Sequence, residues 1–146
     1  MHVILRYRLE ARLLRGDLSV KDLPSEWRQG MQQLLGVDGD SYGDAEGCLQ
    51  DVHWSEGLFG YFPSYLLGHL ISAQLCQVMA SEIGAPEDHV ASGDITPLLG
   101  WLRQHVHPVG RALNAEDLVR QVTGRPLDST AFLQHVRGKA QALQPA

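Results

Sequence analysis

The residues best suited to chemistry are concentrated between Gly47 and Gln74, where the chain reads GCLQDVHWSEGLFGYFPSYLLGHLISAQ. A histidine, His53, is followed by two tyrosines, Tyr61 and Tyr65, at the start of a long apolar run. An imidazole and a phenol can both donate hydrogen bonds to an oxyanion, which is how a hydrolase stabilises a tetrahedral intermediate. Such donors assist a reaction but supply no nucleophile, so the stretch predicts part of a site.

Two side chains near His53 could act as nucleophiles. Ser55 lacks the Gly-x-Ser-x-Gly context of a nucleophile elbow, and Cys48 lies five residues earlier in a predicted helix or turn. Proximity in sequence alone does not give a nucleophile and base in hydrogen-bond reach. An independent small enzyme using His53 with Cys48 or Asp51 is therefore the least favoured alternative.

Histidines elsewhere do not predict a metal site. Among the seven histidines there is no His-Glu-x-x-His, the spacing that puts two imidazoles on one helical face. The close pair His105 and His107 is two positions apart, so its members would point to different faces of a helix. We expect no metal ligands and no bound cofactor in this chain.

Composition and charge limit the classes of protein to which the chain could belong. A hydrophobic fraction of 44% and a charged fraction of 20% over 146 residues are typical of a globular protein of one domain, 1–146. A net charge of -5 argues against nucleic-acid binding. The most apolar window, Tyr65 to Ile83, carries too many polar residues for a membrane span, and the charged residues Arg6, Arg8 and Glu10 predict that the first residues are not a signal peptide. We expect a cytoplasmic protein with two buried free thiols, Cys48 and Cys76.

Apolar periodicity predicts helices throughout and no convincing strand, hence an all-α fold. It is expected to be a multi-helix, bundle-like array around a long central helix that is buried on most sides. The predicted helices cover 2–14, 24–35, 63–83, 87–92, 97–106, 114–124 and 128–143, with 44–51 a short helix or turn.

The central stretch also resembles a known family. Its signature is Gly47-x-Leu49-Gln50-Asp51-x-His53-Trp54-x-x-Gly57-x-Phe59-Gly60-Tyr61-Phe62-Pro63-Ser64-Tyr65. This pattern is similar to that of the carboxypeptidase Taq (thermostable carboxypeptidase 1) family of zinc metallocarboxypeptidases. Flanking matches extend the likeness over nearly the whole chain: Leu5-Arg6 and Glu10, Gly16 to Pro24, Trp27, Gly93-Asp94, Pro97-Leu98, Trp101-Leu102, His107-x-x-Gly110-Arg111 and Val122-Thr123-Gly124.

The resemblance implies roles for five residues. His53 would bind substrate or stabilise an oxyanion, Tyr65 (or, less favoured, Tyr61) would reach the scissile carbonyl, and Gln50 and Asp51 would orient His53. Zinc, held in the family by His-Glu-x-x-His and a later glutamate, would belong to the complete enzyme, upstream of this region.

The resemblance also implies that the chain is the C-terminal portion of such an enzyme, as an isolated fragment or the product of a truncated gene. We expect it to be inactive alone. Its expected partners are a second copy, as a dimer, or a separately encoded N-terminal zinc-binding half. A repurposed binding or assembly module is the alternative.

Overall fold

The structure, a computed structural model, describes residues 1–143. Those residues form seven α-helices and no strand, which confirms the all-α prediction. The helices are α1 His2–Arg15, α2 Leu23–Leu35, α3 Phe62–Ile83, α4 Pro86–Ser92, α5 Thr96–His105, α6 Ala115–Thr123 and α7 Thr130–Ala142. The segment 44–51 is a series of turns rather than a helix. No helix in the described part of the chain is long and apolar enough to cross a membrane.

The chain divides into two compact units, an N-terminal unit Met1–Leu67 and a C-terminal unit Gly68–Ala146. The organisation as one domain, expected from the sequence, stays a prediction.

The N-terminal unit is built on the pairing of α1 and α2. Leucines of α1 and the inward residues of α2 share one core with Cys48: Leu5, Leu9, Leu18, Leu23, Trp27 and Met31. The two helices approach closely at Gly30, where a Cβ atom would lie 2.2 Å from Cδ1 of Leu5. This approach holds α1 in place beside the segment that follows α2.

The C-terminal unit packs the second half of α3 against α5 and α6. Leu75, Met79 and Trp101 form its buried core, with Val122 packed against it. Gln74 is fully buried and satisfied: its amide nitrogen donates to the carbonyl of Pro126 at 3.0 Å, and its oxygen accepts from the backbone of Asp128 at 3.2 Å. A buried amide with its partners in place fixes the loop between α6 and α7.

Burial of α3 is less complete than predicted. Phe62, Gln74, Leu75 and Met79 are buried, whereas Leu67 is 47% exposed. An apolar sequence shows which faces could be covered but not whether another element covers them. The expectation that the helix is buried on most sides therefore needs correction.

Candidate functional site

His53 and Tyr65 lie within hydrogen-bond distance, with 2.9 Å between Nε2 of the imidazole and the phenol oxygen. The turns after Asp51 carry His53, and the first turn of α3 carries Tyr65. The Tyr61 ring is 5.7 Å from the His53 ring and 5.4 Å from the Tyr65 ring. All three predicted side chains thus meet in one place, and both tyrosines are nearly half exposed.

The other face of His53 packs on an aromatic support. Phe62, which is 1% exposed, lies 4.5 Å from the His53 ring and 5.8 Å from the Trp54 ring. Nδ1 of His53 is buried and has no hydrogen-bond partner in the described part of the chain. The imidazole is therefore oriented by packing and by Tyr65 rather than by a bond at Nδ1.

Asp51 and Gln50 do not make the expected contact with His53. Oδ2 of Asp51 accepts from Nε of Arg6 at 2.6 Å, in a partly buried ion pair. The Arg6 guanidinium also lies over the ring of Trp27, 4.7 Å from its centroid. Gln50 is exposed. Because Arg6 offers Asp51 a charge-assisted bond, the carboxylate turns to α1 instead of to the imidazole.

A buried carboxylate on α1, that of Glu10, binds the loop between His53 and α3. Glu10 is 2% exposed, and its two oxygens accept from Nε1 of Trp54 at 3.0 Å and from the backbone N–H of Gly60 at 2.7 Å. The sequence assigned no role in the site to Arg6 or Glu10, which appeared only among the matches that flank the signature. The signal that could have found them is their spacing of four, which puts both on one helical face.

These groups line a small open cavity of about 220 Å³ in the N-terminal unit. Its wall combines two imidazoles, one guanidinium paired with a carboxylate, one phenol and apolar surface: His2, Val3, Arg6, Asp51, His53, Phe62 and Tyr65. The arrangement can bind a polar group and donate hydrogen bonds to it.

The residues present do not fit a zinc ion. Across positions 1–143, no three histidine, cysteine or acidic side chains are grouped so that they could hold a metal. His105, at the end of α5, has its Nε2 atom 3.5 Å from a carboxylate oxygen of Glu82 and stacks on Trp101. No chemical step is therefore assigned to a metal held by this chain.

Comparison with known proteins places the chain in a family. The profile of the "Carboxypeptidase Taq (M32) metallopeptidase" family matches residues 1–140. "Thermostable carboxypeptidase 1" of Thermus thermophilus is 41% identical over 143 residues, covering 98% of this chain and 28% of that protein. "Carboxypeptidase 1" of Bacillus subtilis is 38% identical over 139 residues, covering 95% of this chain and 27% of that protein.

Solved structures agree with the sequence comparisons. The BsuCP crystal structure superposes with a TM-score of 0.89 at 38% identity, covering 97% of this chain and 28% of that one. The structure of "Trypanosoma Cruzi Metallocarboxypeptidase 1" gives a TM-score of 0.86 at 36% identity, covering 96% and 29%. The chain thus spans less than a third of the length of these relatives, and it belongs to the carboxypeptidase Taq (M32) metallopeptidase family, matching a C-terminal portion of its members.

Proposed function

We propose that this chain supplies the substrate-side, oxyanion-stabilising part of a metallocarboxypeptidase site and releases no C-terminal amino acids by itself. The observation that carries the proposal is the 2.9 Å contact between His53 and Tyr65 at the edge of an open cavity. Family membership supplies the reaction class, zinc-dependent hydrolysis at the C-terminus of a peptide. The 146 residues contain no His-Glu-x-x-His.

The tautomer of His53 decides what Tyr65 can do. A neutral imidazole carries one N–H, and Nδ1 is buried without a partner. An orphaned buried N–H is rarer than an under-used buried acceptor, which favours the proton on Nε2. Nε2–H then donates to the phenol oxygen of Tyr65. The hydroxyl proton of Tyr65 is thereby left free to point into the cavity.

A free phenol proton beside a carbonyl is a preorganised oxyanion donor. The hydrogen bond from His53 fixes the Tyr65 oxygen and polarises its hydroxyl, so the donor is in place before charge develops on the substrate. Loss of one such donor typically lowers kcat by about 10²- to 10³-fold. Tyr61, whose ring lies against both residues, is the less favoured donor.

The first test of the proposal is activity of the pure chain. We expect no release of the C-terminal amino acid from a blocked dipeptide after addition of zinc or cobalt. Metal-dependent release by the chain alone, lost on chelation, would contradict the proposal.

The second test supplies the missing chemistry. The chain is mixed with an N-terminal portion of a family member that carries His-Glu-x-x-His, and zinc is added. We expect peptide hydrolysis that falls by about 10²-fold or more in Tyr65→Phe. Tyr7→Phe is the matched control, because Tyr7 is similarly exposed on α1 and lies outside the site cavity. Equal activity of the two variants would refute the role of Tyr65.

A binding or assembly module without peptidase activity is the second candidate. Large apolar side chains are exposed around the site, among them Leu49 at 67%, Val52 at 62% and Phe59 at 52%. Such a surface favours a covering partner, either a second copy as a dimer or a separately encoded N-terminal zinc-binding half. Light scattering over a range of concentrations tests the dimer, and a monomer at every concentration would contradict it.

A cytoplasmic location is part of the proposal, because Cys48 and Cys76 are both free thiols, as is usual in a reducing compartment.

A further inference from the structure

We infer that Glu10 is a positioning residue for the His53–Tyr65 pair, acting through the loop that joins them. This inference rests on the proposed function, since it concerns how the oxyanion donors are held in place. Glu10 touches neither the imidazole nor the phenol. Its contacts are with the residues at the two ends of the loop Trp54–Gly60.

The carboxylate binds this loop at both ends. Oε2 of Glu10 accepts from the indole N–H of Trp54, the residue directly after His53. Oε1 accepts from the backbone N–H of Gly60, at the start of the passage into α3. One rigid side chain therefore sets the distance between the segment that carries His53 and the segment that carries Tyr65.

Internal bonds of the loop carry this constraint to the imidazole. The backbone carbonyl of His53 accepts from the N–H of Leu58 at 2.7 Å, and the ring packs on Phe62, which begins α3. Gly60 has a φ of +79°, a conformation that glycine adopts without strain, so its N–H can face α1. A shift of either end of the loop would move the His53 ring relative to Tyr65.

Only a carboxylate satisfies both donors. Its two oxygens are both acceptors, whereas a glutamine of the same shape has one oxygen and one NH₂ group. In Glu10→Gln the NH₂ group would face an N–H of either Trp54 or Gly60, and a buried donor would lose its acceptor. The loop would be held at one end only.

The test measures the imidazole itself, in the full 146-residue chain. Long-range proton–nitrogen correlation spectra report which nitrogen of His53 carries the proton and whether Nε2 is hydrogen-bonded. Tyr65→Phe removes the phenol oxygen, so its spectrum gives the Nε2 signal of His53 when the contact between His53 and Tyr65 is broken. We expect Glu10→Gln to move the Nε2 signal of His53 toward its position in Tyr65→Phe. Glu10→Asp, which keeps two acceptor oxygens on a shorter side chain, should give a smaller shift in the same direction.

A control variant separates positioning from a general loss of stability. Gln74→Leu removes a fully buried amide whose bonds all lie within the C-terminal unit. We expect it to lower the unfolding midpoint while leaving the His53 signals unchanged.

A substitution at Trp54, which donates a hydrogen bond to Glu10, keeps the inference testable if Glu10→Gln folds poorly. Trp54→Phe removes the indole N–H and leaves Glu10 intact, so it should also move the His53 signal. When Glu10→Gln is then made in the Trp54→Phe background, the amide oxygen of the introduced glutamine could serve Gly60 with no second donor to satisfy. The second substitution should therefore add little further shift.

Two results would overturn the inference. One is an unchanged His53 signal in Glu10→Gln and Trp54→Phe while neighbouring amide signals of the loop move. The other is an equal shift in Gln74→Leu. Either result leaves the proposed function intact, because that proposal is judged by peptide hydrolysis and not by these spectra.

Discussion

Replacing Gly30 with alanine tests whether α1 and α2 are as close as the structure indicates. The new Cβ would lie 2.2 Å from Cδ1 of Leu5 and 3.3 Å from its Cδ2 and Cγ atoms. Leu5 is 4% exposed and packs in the core of the N-terminal unit, so its side chain has little free space to enter.

Two effects of opposite sign set the change in the free energy of unfolding that Gly30→Ala causes. Overpacking a core by a methyl group costs about 1 to 3 kcal/mol. Replacing a glycine inside a helix by alanine returns about 1 kcal/mol. Gly30→Ala should therefore lower the free energy of unfolding by about 1 kcal/mol, within a range of about 0 to 2 kcal/mol.

Gly100 gives a matched control with the opposite expectation. It lies inside α5, and a Cβ added there would meet no atom within 4 Å. Gly100→Ala should raise the free energy of unfolding by about 0.5 to 1 kcal/mol, because only the helical preference remains.

Urea unfolding followed by circular dichroism and tryptophan fluorescence measures both variants. Stabilisation by both substitutions would refute the close approach of α1 and α2. A further variant locates the cause: in a Leu5→Ala background, Gly30→Ala should no longer destabilise. Persistence of the full loss in that background would mean that the clash is not with Leu5.

Three further predictions concern other parts of the chain. Burial raises the pKa of both cysteine thiols, but Cys48 is 1% exposed whereas Cys76 is exposed, so in the native chain a thiol reagent should modify Cys76 alone; rapid labelling of both would contradict this. Asn114 accepts a hydrogen bond in the first turn of α6, so Asn114→Ala should cost about 1 kcal/mol in urea unfolding, and an unchanged midpoint would show that the cap contributes nothing. Hydrogen bonds from Thr130 lower the pKa of Asp128, so its contribution to stability is present above its unfolded pKa and is lost as the pH falls through the folded one. Asp128→Asn should reduce the loss of stability on acidification below about pH 5, and identical acid profiles would refute that reasoning.

Local features of the sequence were sufficient to predict the helices. Gly16, Gly36 and Gly124 follow the last residues of α1, α2 and α6, each with a positive φ. Trp27 and Met31, four positions apart, both face the core. Ends and faces of helices depend on residues within one or two turns, so short-range patterns predict them.

Partners distant in sequence could not be predicted in the same way. The family resemblance implied that Asp51 orients His53, yet the partner of Asp51 is Arg6, 45 residues away. Cys76 was expected to be buried and is exposed, because the helical pattern does not show which apolar faces remain uncovered. The meeting of His53 with Tyr65 was suggested by the family resemblance and not by spacing alone.

The distance along the chain between Glu10 and its partners has a consequence for folding. The carboxylate and the loop that it binds are separated by 44 to 50 residues, with α2 between them. A contact between residues so far apart in sequence forms slowly, because the loss of chain entropy opposes it until the intervening helix α2 has packed on α1. We expect α1 and α2 to acquire helical structure first and the imidazole to become ordered last. During synthesis, the site can be assembled only after the chain beyond residue 60 has left the ribosome.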